Sequence, residues 1–154
     1  MCRIFDRWVE HGIRKVSVRS FDSLLAFCLG QGPTECTFQK KCADYIVIEH
    51  NGDAFCCDFY VEEDAYLGNI MDTPIEELAG CEKKIKFGRN KRNLVDKCIV
   101  CKHLDACRGG CPKDRRMADP QYGKETFLCE GYKKIFDHTM GKMWEIASRL
   151  ATRK

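Results

Sequence analysis

Residues 97–117 read K-C-I-V-C-K-H-L-D-A-C-R-G-G-C-P-K-D-R-R-M. Cys98, Cys101, Cys107 and Cys111 crowd this segment beside seven basic side chains: Lys97, Lys102, His103, Arg108, Lys113, Arg115 and Arg116. A four-cysteine zinc site usually pairs two knuckles across a longer excursion. Here the C-x2-C and C-x3-C pairs are separated by only five residues. So compact a run suits an iron–sulfur cube, around which a loop wraps and offers a thiolate to each iron. Gly109-Gly110 frees the backbone to turn sharply between Cys107 and Cys111 and to bring N–H groups toward a sulfide. Zinc remains the alternative occupant.

Working outward, Cys36-x5-Cys42-x14-Cys57 lies upstream, and seventeen residues separate Cys111 from Cys129. Eight sulfurs are the complement of two four-ligand sites. The chain holds twelve cysteines in 154 residues. Met1–Asp6 lacks the apolar core of an export signal, and no apolar run approaches the ~20 residues of a membrane span. A cytoplasmic, reducing compartment is therefore expected, where clustered cysteines bind metal rather than form a disulfide framework. The formal charge of +3 is too small to argue for nucleic acid. Eight thiolates and two cluster cores would move that charge to about −1. Basic residues beside the thiols are expected to stabilise them as thiolates and to raise cluster potentials.

Residues 1–35 read as helix, strand and helix. Ile4, Phe5, Trp8 and Val9 recur at helical spacing and Gly12 closes that helix; Val16 and Val18 predict a short strand within Lys15–Ser20. Asp22 or Ser23 is expected to cap a second helix carrying Leu24, Leu25, Phe27 and Cys28. After the break at Gly30–Pro33, a strand is expected over Ala43–His50, a type I′ turn at Asn51-Gly52, and an antiparallel return over Ala54–Tyr60. Alternation along that return puts Phe55, Cys57 and Phe59 on one face and Ala54, Cys56 and Asp58 on the other. Thr73-Pro74-Ile75-Glu76 reads as a capping box with proline at the first helical position. Lys83–Asp96 is expected to be helical. Glu130–Thr152 is the clearest helix, with Tyr132, Phe136, Met140, Met143, Ala147 and Leu150 on one stripe.

Cys42, Gly52, Cys57, Cys98, Cys101, Cys107, Cys111 and Cys129 fill the pattern C-x9-15-G-x4-C, gap, C-x2-C-x5-C-x3-C, gap, C. With this pattern the chain resembles SPASM domains, the auxiliary-cluster modules of radical S-adenosylmethionine (SAM) enzymes. Cys36 and the C-D-F-Y of Cys57–Tyr60 narrow the resemblance to anaerobic sulfatase-maturating enzymes, which oxidise a sulfatase cysteine or serine to formylglycine. The resemblance implies an α+β fold: a β-hairpin and short helices around two cluster sites, preceded by the end of an α/β barrel and followed by a long amphipathic helix. The implied domains are residues 1–35 as the barrel end, 36–130 as the auxiliary-cluster domain and 131–154 as the terminal helix. One [4Fe–4S] cluster is implied on Cys36, Cys42, Cys57 and Cys111, and another on Cys98, Cys101, Cys107 and Cys129. The resemblance implies Asp58 at the position of the proposed general base. It would take the substrate's proton, with a pKa raised by desolvation and by a negative cluster.

The SAM-binding C-x3-C-x2-C run is missing: Cys107-x3-Cys111 is followed at the required place by Asp114. The chain is therefore expected to depend on a radical SAM core elsewhere, with SAM bound only by the full-length parent. Expected partners are that core, a sulfatase peptide and an electron donor or acceptor such as ferredoxin or flavodoxin, with no nucleic acid and no membrane. The alternatives are a non-catalytic zinc-bound module and the SPASM domain of another peptide-modifying radical SAM enzyme. Cys2, Cys28, Cys56 and Cys81 fall outside the motif and are expected as small buried hydrophobes.

Overall fold

Helical periodicity places the apolar residues of the first segment on one side, and this side builds the larger core. The computed structural model of the protein describes residues 1–13, 15–42, 45–118 and 125–152, the side chains of 116–118 excepted. It falls into two units, Met1–Gln39 with Val95–Lys154, and Lys40–Leu94.

In the first unit, α1 (Cys2–Arg7) runs into a π-turn over Trp8–Gly12, and α2 (Arg19–Cys28) follows. Both pack against the long last helix of the chain, Cys129–Ala151. Phe5, Trp8, Phe21, Leu24 and Cys28 meet Phe38, Ala106, Phe136, Met143 and Ala147 in one buried cluster. Edge-on aromatic contacts join Phe5 to Phe21 at 5.3 Å and Phe38 to Phe136 at 5.7 Å, geometry that the ring quadrupoles favour. Of the stripe expected on the last helix, Phe136, Met143 and Ala147 are buried, whereas Tyr132, Met140 and Leu150 are partly covered.

The strand expected within Lys15–Ser20 is absent from the described residues 15–18, where the chain turns instead. The Val16 carbonyl accepts a hydrogen bond from the Trp8 indole N–H at 2.9 Å, and the Val16 side chain is exposed. A lone extended segment without a neighbour to pair with gains no ladder, and the indole bond replaces it. The second helix begins at Arg19, before the expected caps. Asp22 accepts the Ser17 hydroxyl at 2.6 Å within the first turn. Ser23, fully buried, accepts the Glu35 N–H at 2.9 Å and so ties the segment ahead of Cys36 to α2.

The second unit is built on a three-stranded antiparallel sheet of β1 (Val47–Ile48), β2 (Asp53–Phe55) and β3 (Tyr66–Asn69). The expected strand over Ala43–His50 is realised only at its centre, and Ala43 and Asp44 lie outside the described residues. The turn also differs from the two-residue type I′ form. Glu49 N–H bonds Asp53 O at 2.8 Å and Gly52 N–H bonds Glu49 O at 2.9 Å, closing a three-residue loop over His50–Gly52. Only Gly52 needs the left-handed region, at φ +89°, the pattern of a type I turn ending in a glycine bulge. β2 stops at Phe55 beside a bulge against β3, so Cys57 leaves the strand. Cys57–Tyr60 is a turn closed by Tyr60 N–H to Cys57 O at 2.9 Å, which removes the face alternation expected for Cys56, Cys57 and Asp58. Tyr60 packs edge-on against Phe87 at 5.1 Å.

The remaining elements of this unit are α3 (Ile75–Gly80) and α4 (Glu82–Asn90). Pro74 is the N-cap of α3 rather than its first residue, and no side chain caps it, so the Thr73 capping box is not formed. The helix expected over Lys83–Asp96 ends at Asn90. A separate short helix, α5 (Asp96–Ile99), begins after the break in the first unit, followed there by α6 (Leu104–Cys107), α7 (Pro112–Ala118) and the long helix α8 (Cys129–Ala151).

Met143 is wholly buried on α8, whereas Val100 is 84% exposed. Met143→Ala is expected to lower the unfolding free energy by about 2–5 kcal/mol in a urea titration. Val100→Ala is expected to change it by no more than about 0.5 kcal/mol.

Candidate metal centre

Two short helices, one turn and the start of the long last helix carry Cys98, Cys107, Cys101 and Cys129. Cys98 lies in α5, and its carbonyl accepts Cys101 N–H at 3.2 Å, which starts the next turn. The Cys101 carbonyl accepts Leu104 N–H at 2.9 Å and leads into α6, which ends at Cys107. Cys129 opens α8, its N–H bonded to Thr126 O at 2.9 Å, while the buried Thr126 hydroxyl accepts Leu128 N–H at 3.2 Å. The result is one cavity lined by Cys98, Cys101, Cys107 and Cys129, with His103, Thr126, Tyr132 and Phe136 in its wall.

Arg108, Gly109 and Gly110 follow Cys107 in the left-handed region, at φ 51°, 74° and 69°. This turn directs the N–H groups of Gly109 and Gly110 at the Cys107 sulfur. The Arg115 guanidinium holds the turn from behind, donating to the carbonyls of Gly109 and Arg108 at 2.9 Å each and to Gly110 O at 3.4 Å. Gly110 is required twice over. A Cβ there would sit 3.1 Å from Thr126 Cγ2 and 3.2 Å from Tyr132 Cε2, in a backbone conformation that costs an L-residue about 1–2 kcal/mol.

Burial pushes the thiols of Cys98, Cys107 and Cys129 upward in pKa. Arg115 opposes this at Cys98, the Gly109 N–H opposes it at Cys107, and Lys133 and Lys97 oppose it at Cys129. The sulfurs also raise one another, because each thiolate disfavours its neighbours. A cationic centre inside the cavity would relieve that repulsion, and soft thiolates are the donors that iron–sulfur clusters and zinc take. Among the described residues, no three Cys, His, Asp or Glu side chains converge closely enough for a single metal ion. Four thiols line the one cavity, and the Gly109 and Gly110 N–H groups turn toward the Cys107 sulfur.

The basic residues are not held in reserve for the thiolates alone. Lys102 and His103 both pair with Asp137, at 2.6 and 2.9 Å, Arg108 pairs with Asp105 at 2.7 Å, and Lys113 stands 3.8 Å from Asp114. Lys97 pairs with Glu125, which itself lines the cavity. The Arg116 side chain lies outside the described residues.

The other four expected ligands divide between the units. In the first, Cys36 opens a 3-10 turn, Cys36–Phe38, that packs on α6, and the Cys111 carbonyl accepts the first N–H groups of α7. In the second, Cys42 N–H bonds Gly88 O at 3.1 Å on α4. The Cys57 thiol is pushed up to about 11 by burial, with opposing hydrogen bonds from Phe59 N–H and the Tyr45 hydroxyl. Its sulfur donates to Asp58 Oδ1 at 3.2 Å. Asp58 is exposed at the turn rather than desolvated. Cys28 and Cys56 are buried outside the motif as expected, whereas Cys2 and Cys81 are only partly covered.

Residues 36–102 match the model of SPASM, an iron–sulfur cluster-binding domain. The serine-type anaerobic sulfatase-maturating enzyme of Bacteroides thetaiotaomicron is 40% identical over 141 residues, 90% of this chain and 34% of that protein. The cysteine-type enzyme of Clostridium novyi is 31% identical over 154 residues, 99% of this chain and 41% of that protein. The solved structure "Native anSMEcpe with bound AdoMet and Kp18Cys peptide" superposes with a TM-score of 0.86 at 29% identity, over 96% of this chain and 41% of that one. The chain is homologous to the anaerobic sulfatase-maturating enzymes and includes a SPASM iron–sulfur cluster-binding domain. It spans between about a third and two fifths of the length of these relatives. No described helix is long and apolar enough to cross a membrane.

Gly110→Ala is expected to destabilise the chain by about 1–2 kcal/mol or more in denaturant unfolding. Gly141→Ala, where a Cβ meets nothing within 4 Å on exposed α8, is expected to stabilise it by about 0.5–1 kcal/mol.

Proposed function

We propose that this chain is the auxiliary-cluster portion of an anaerobic sulfatase-maturating enzyme, holding two [4Fe–4S] clusters and docking the sulfatase peptide whose cysteine or serine becomes formylglycine. The observation that carries the proposal is the single cavity lined by Cys98, Cys101, Cys107 and Cys129, with Gly109 and Gly110 N–H groups turned at one of the sulfurs. The second quartet is Cys36, Cys42, Cys57 and Cys111, as the resemblance to sulfatase-maturating enzymes implies. The cluster-binding domain is taken as residues 36–130, with 131–154 as the helix that supports it. Bound clusters supply one-electron transfer, here from the substrate toward an acceptor such as ferredoxin or flavodoxin. SAM cleavage belongs to a core that this segment does not carry.

Within the chain, Asp58 is the candidate general base. As a thiol, Cys57 gives its proton to Asp58 Oδ1 in a hydrogen bond. As a metal ligand the sulfur has no proton to give, which leaves the carboxylate open to accept one from a substrate S–H or O–H. Exposure of the turn keeps that carboxylate accessible to an incoming peptide. Lys97 and Lys133 flank the other quartet and lower the cost of its negative charge.

Anaerobic reconstitution is expected to yield a brown protein with about eight irons per chain, falling to about half in Cys107→Ala. A colourless protein binding about two zinc ions instead would support the non-catalytic module. In an enzyme joining this segment to a SAM-binding core, Asp58→Asn is expected to reduce formylglycine formation by at least about 100-fold, the ordinary scale of general-base catalysis. Iron content should be unchanged. Wild-type activity in that variant would remove Asp58 from the chemistry.

A further inference from the structure

Lys84 is the one lysine of α4 whose position runs against its chemistry. Its residue is 3% exposed, deep in the second unit. Nζ donates to the Cys56 carbonyl at 2.8 Å and to the Cys42 carbonyl at 3.3 Å, and it stands 5.5 Å from the centre of the Phe87 ring. Among the described residues no carboxylate pairs with it. Two carbonyls and a ring face satisfy the ammonium's hydrogen bonds but not its charge, and an uncompensated buried charge is costly. The two carbonyls belong to Cys42 and to Cys56, the residue before Cys57; Cys42 and Cys57 are the two ligands assigned to this unit in the proposed second quartet.

We propose that Lys84 is the built-in counter-cation of the cluster held through Cys42 and Cys57, and the clamp that brings their two backbone segments together before metal arrives. The inference rests on the cluster assignment made above. A four-thiolate cluster is anionic, and one more electron makes it more so. A fixed positive charge close by favours the reduced form and raises the midpoint potential, the more strongly where water is excluded. Lys84 is therefore a positioning and tuning residue, and takes no part in bond making.

The test is redox titration of the anaerobically reconstituted chain, followed by electron paramagnetic resonance, in Lys84→Met, Lys84→Gln and Lys84→Arg. Lys84→Gln keeps an N–H donor for the carbonyls and loses the charge, whereas Lys84→Arg keeps both. The expected result is a negative shift of one of the two midpoints in the Met and Gln variants, the other midpoint unmoved, and a wild-type value in Arg. The midpoint that shifts should be the one missing from Cys57→Ala. If the neutral variants fail to load that cluster while Lys84→Arg loads it, the charge is needed for assembly and the proposal stands. Full loading with both midpoints unmoved would overturn it, as would failure of all three variants alike. A wild-type chain that takes up no iron would instead overturn the cluster assignment.

Discussion

The site depends on a conflict between burial and charge. Cys98, Cys107 and Cys129 are withdrawn from water enough to favour the protonated thiol, and each thiolate formed would penalise the others. Nothing in a hydrophobic core calls for four sulfurs around one cavity at that cost. The fold nevertheless prepares for thiolates. Two glycine N–H groups point at Cys107, Arg115 lies near Cys98, and Lys97 and Lys133 lie near Cys129. These groups stabilise thiolates rather than thiols, and on the proposed reading a positively charged inorganic centre takes the protons' place.

The structural supports are arranged accordingly. α6 ends at Cys107 in three consecutive left-handed residues, an expensive conformation for Arg108 that is held by the Arg115 side chain across their carbonyls. α8 presents Cys129 at its first position and is anchored by Phe136, Met143 and Ala147 in the same core as α1 and α2. The long helix thereby fixes the fourth sulfur to the most heavily packed part of the first unit. In the second unit the packing is slighter, around Cys56, Cys57, Tyr60 and Ala65, and a lysine on the backbone carbonyls holds together what few apolar contacts could.

How much of this was legible beforehand follows from the kind of signal each element carries. The last helix was plain because its stripe of Tyr132, Phe136, Met143 and Ala147 repeats over several turns. Spacing brought Cys98, Cys101 and Cys107 together correctly but suggested Cys111 as their fourth partner, whereas the cavity is lined by Cys129, a grouping that only the family resemblance implied; Gly109-Gly110 marked the turn. The strand at Val16 and Val18 was misread because alternation says nothing about whether a neighbour exists to pair with. The hairpin was found, but the Asn51-Gly52 signal could not distinguish a two-residue turn from a three-residue loop in which only Gly52 is left-handed. Lys84 was invisible. Its helix buries Lys84 and Gly88, so the inward face carries almost no hydrophobic periodicity. Arg115 was expected only as a charge stabilising nearby thiolates; its guanidinium also holds the turn through the carbonyls of Arg108, Gly109 and Gly110.

The central claim is that Cys98, Cys101, Cys107 and Cys129 jointly hold an iron–sulfur cluster. Anomalous diffraction at the iron absorption edge, from crystals grown and frozen without oxygen, tests it most directly. The account predicts a strong multi-iron peak within bonding distance of all four of these sulfurs. Well-ordered cysteines around a cavity with no iron signal, or a single-ion peak bound by a different set of residues, would contradict it.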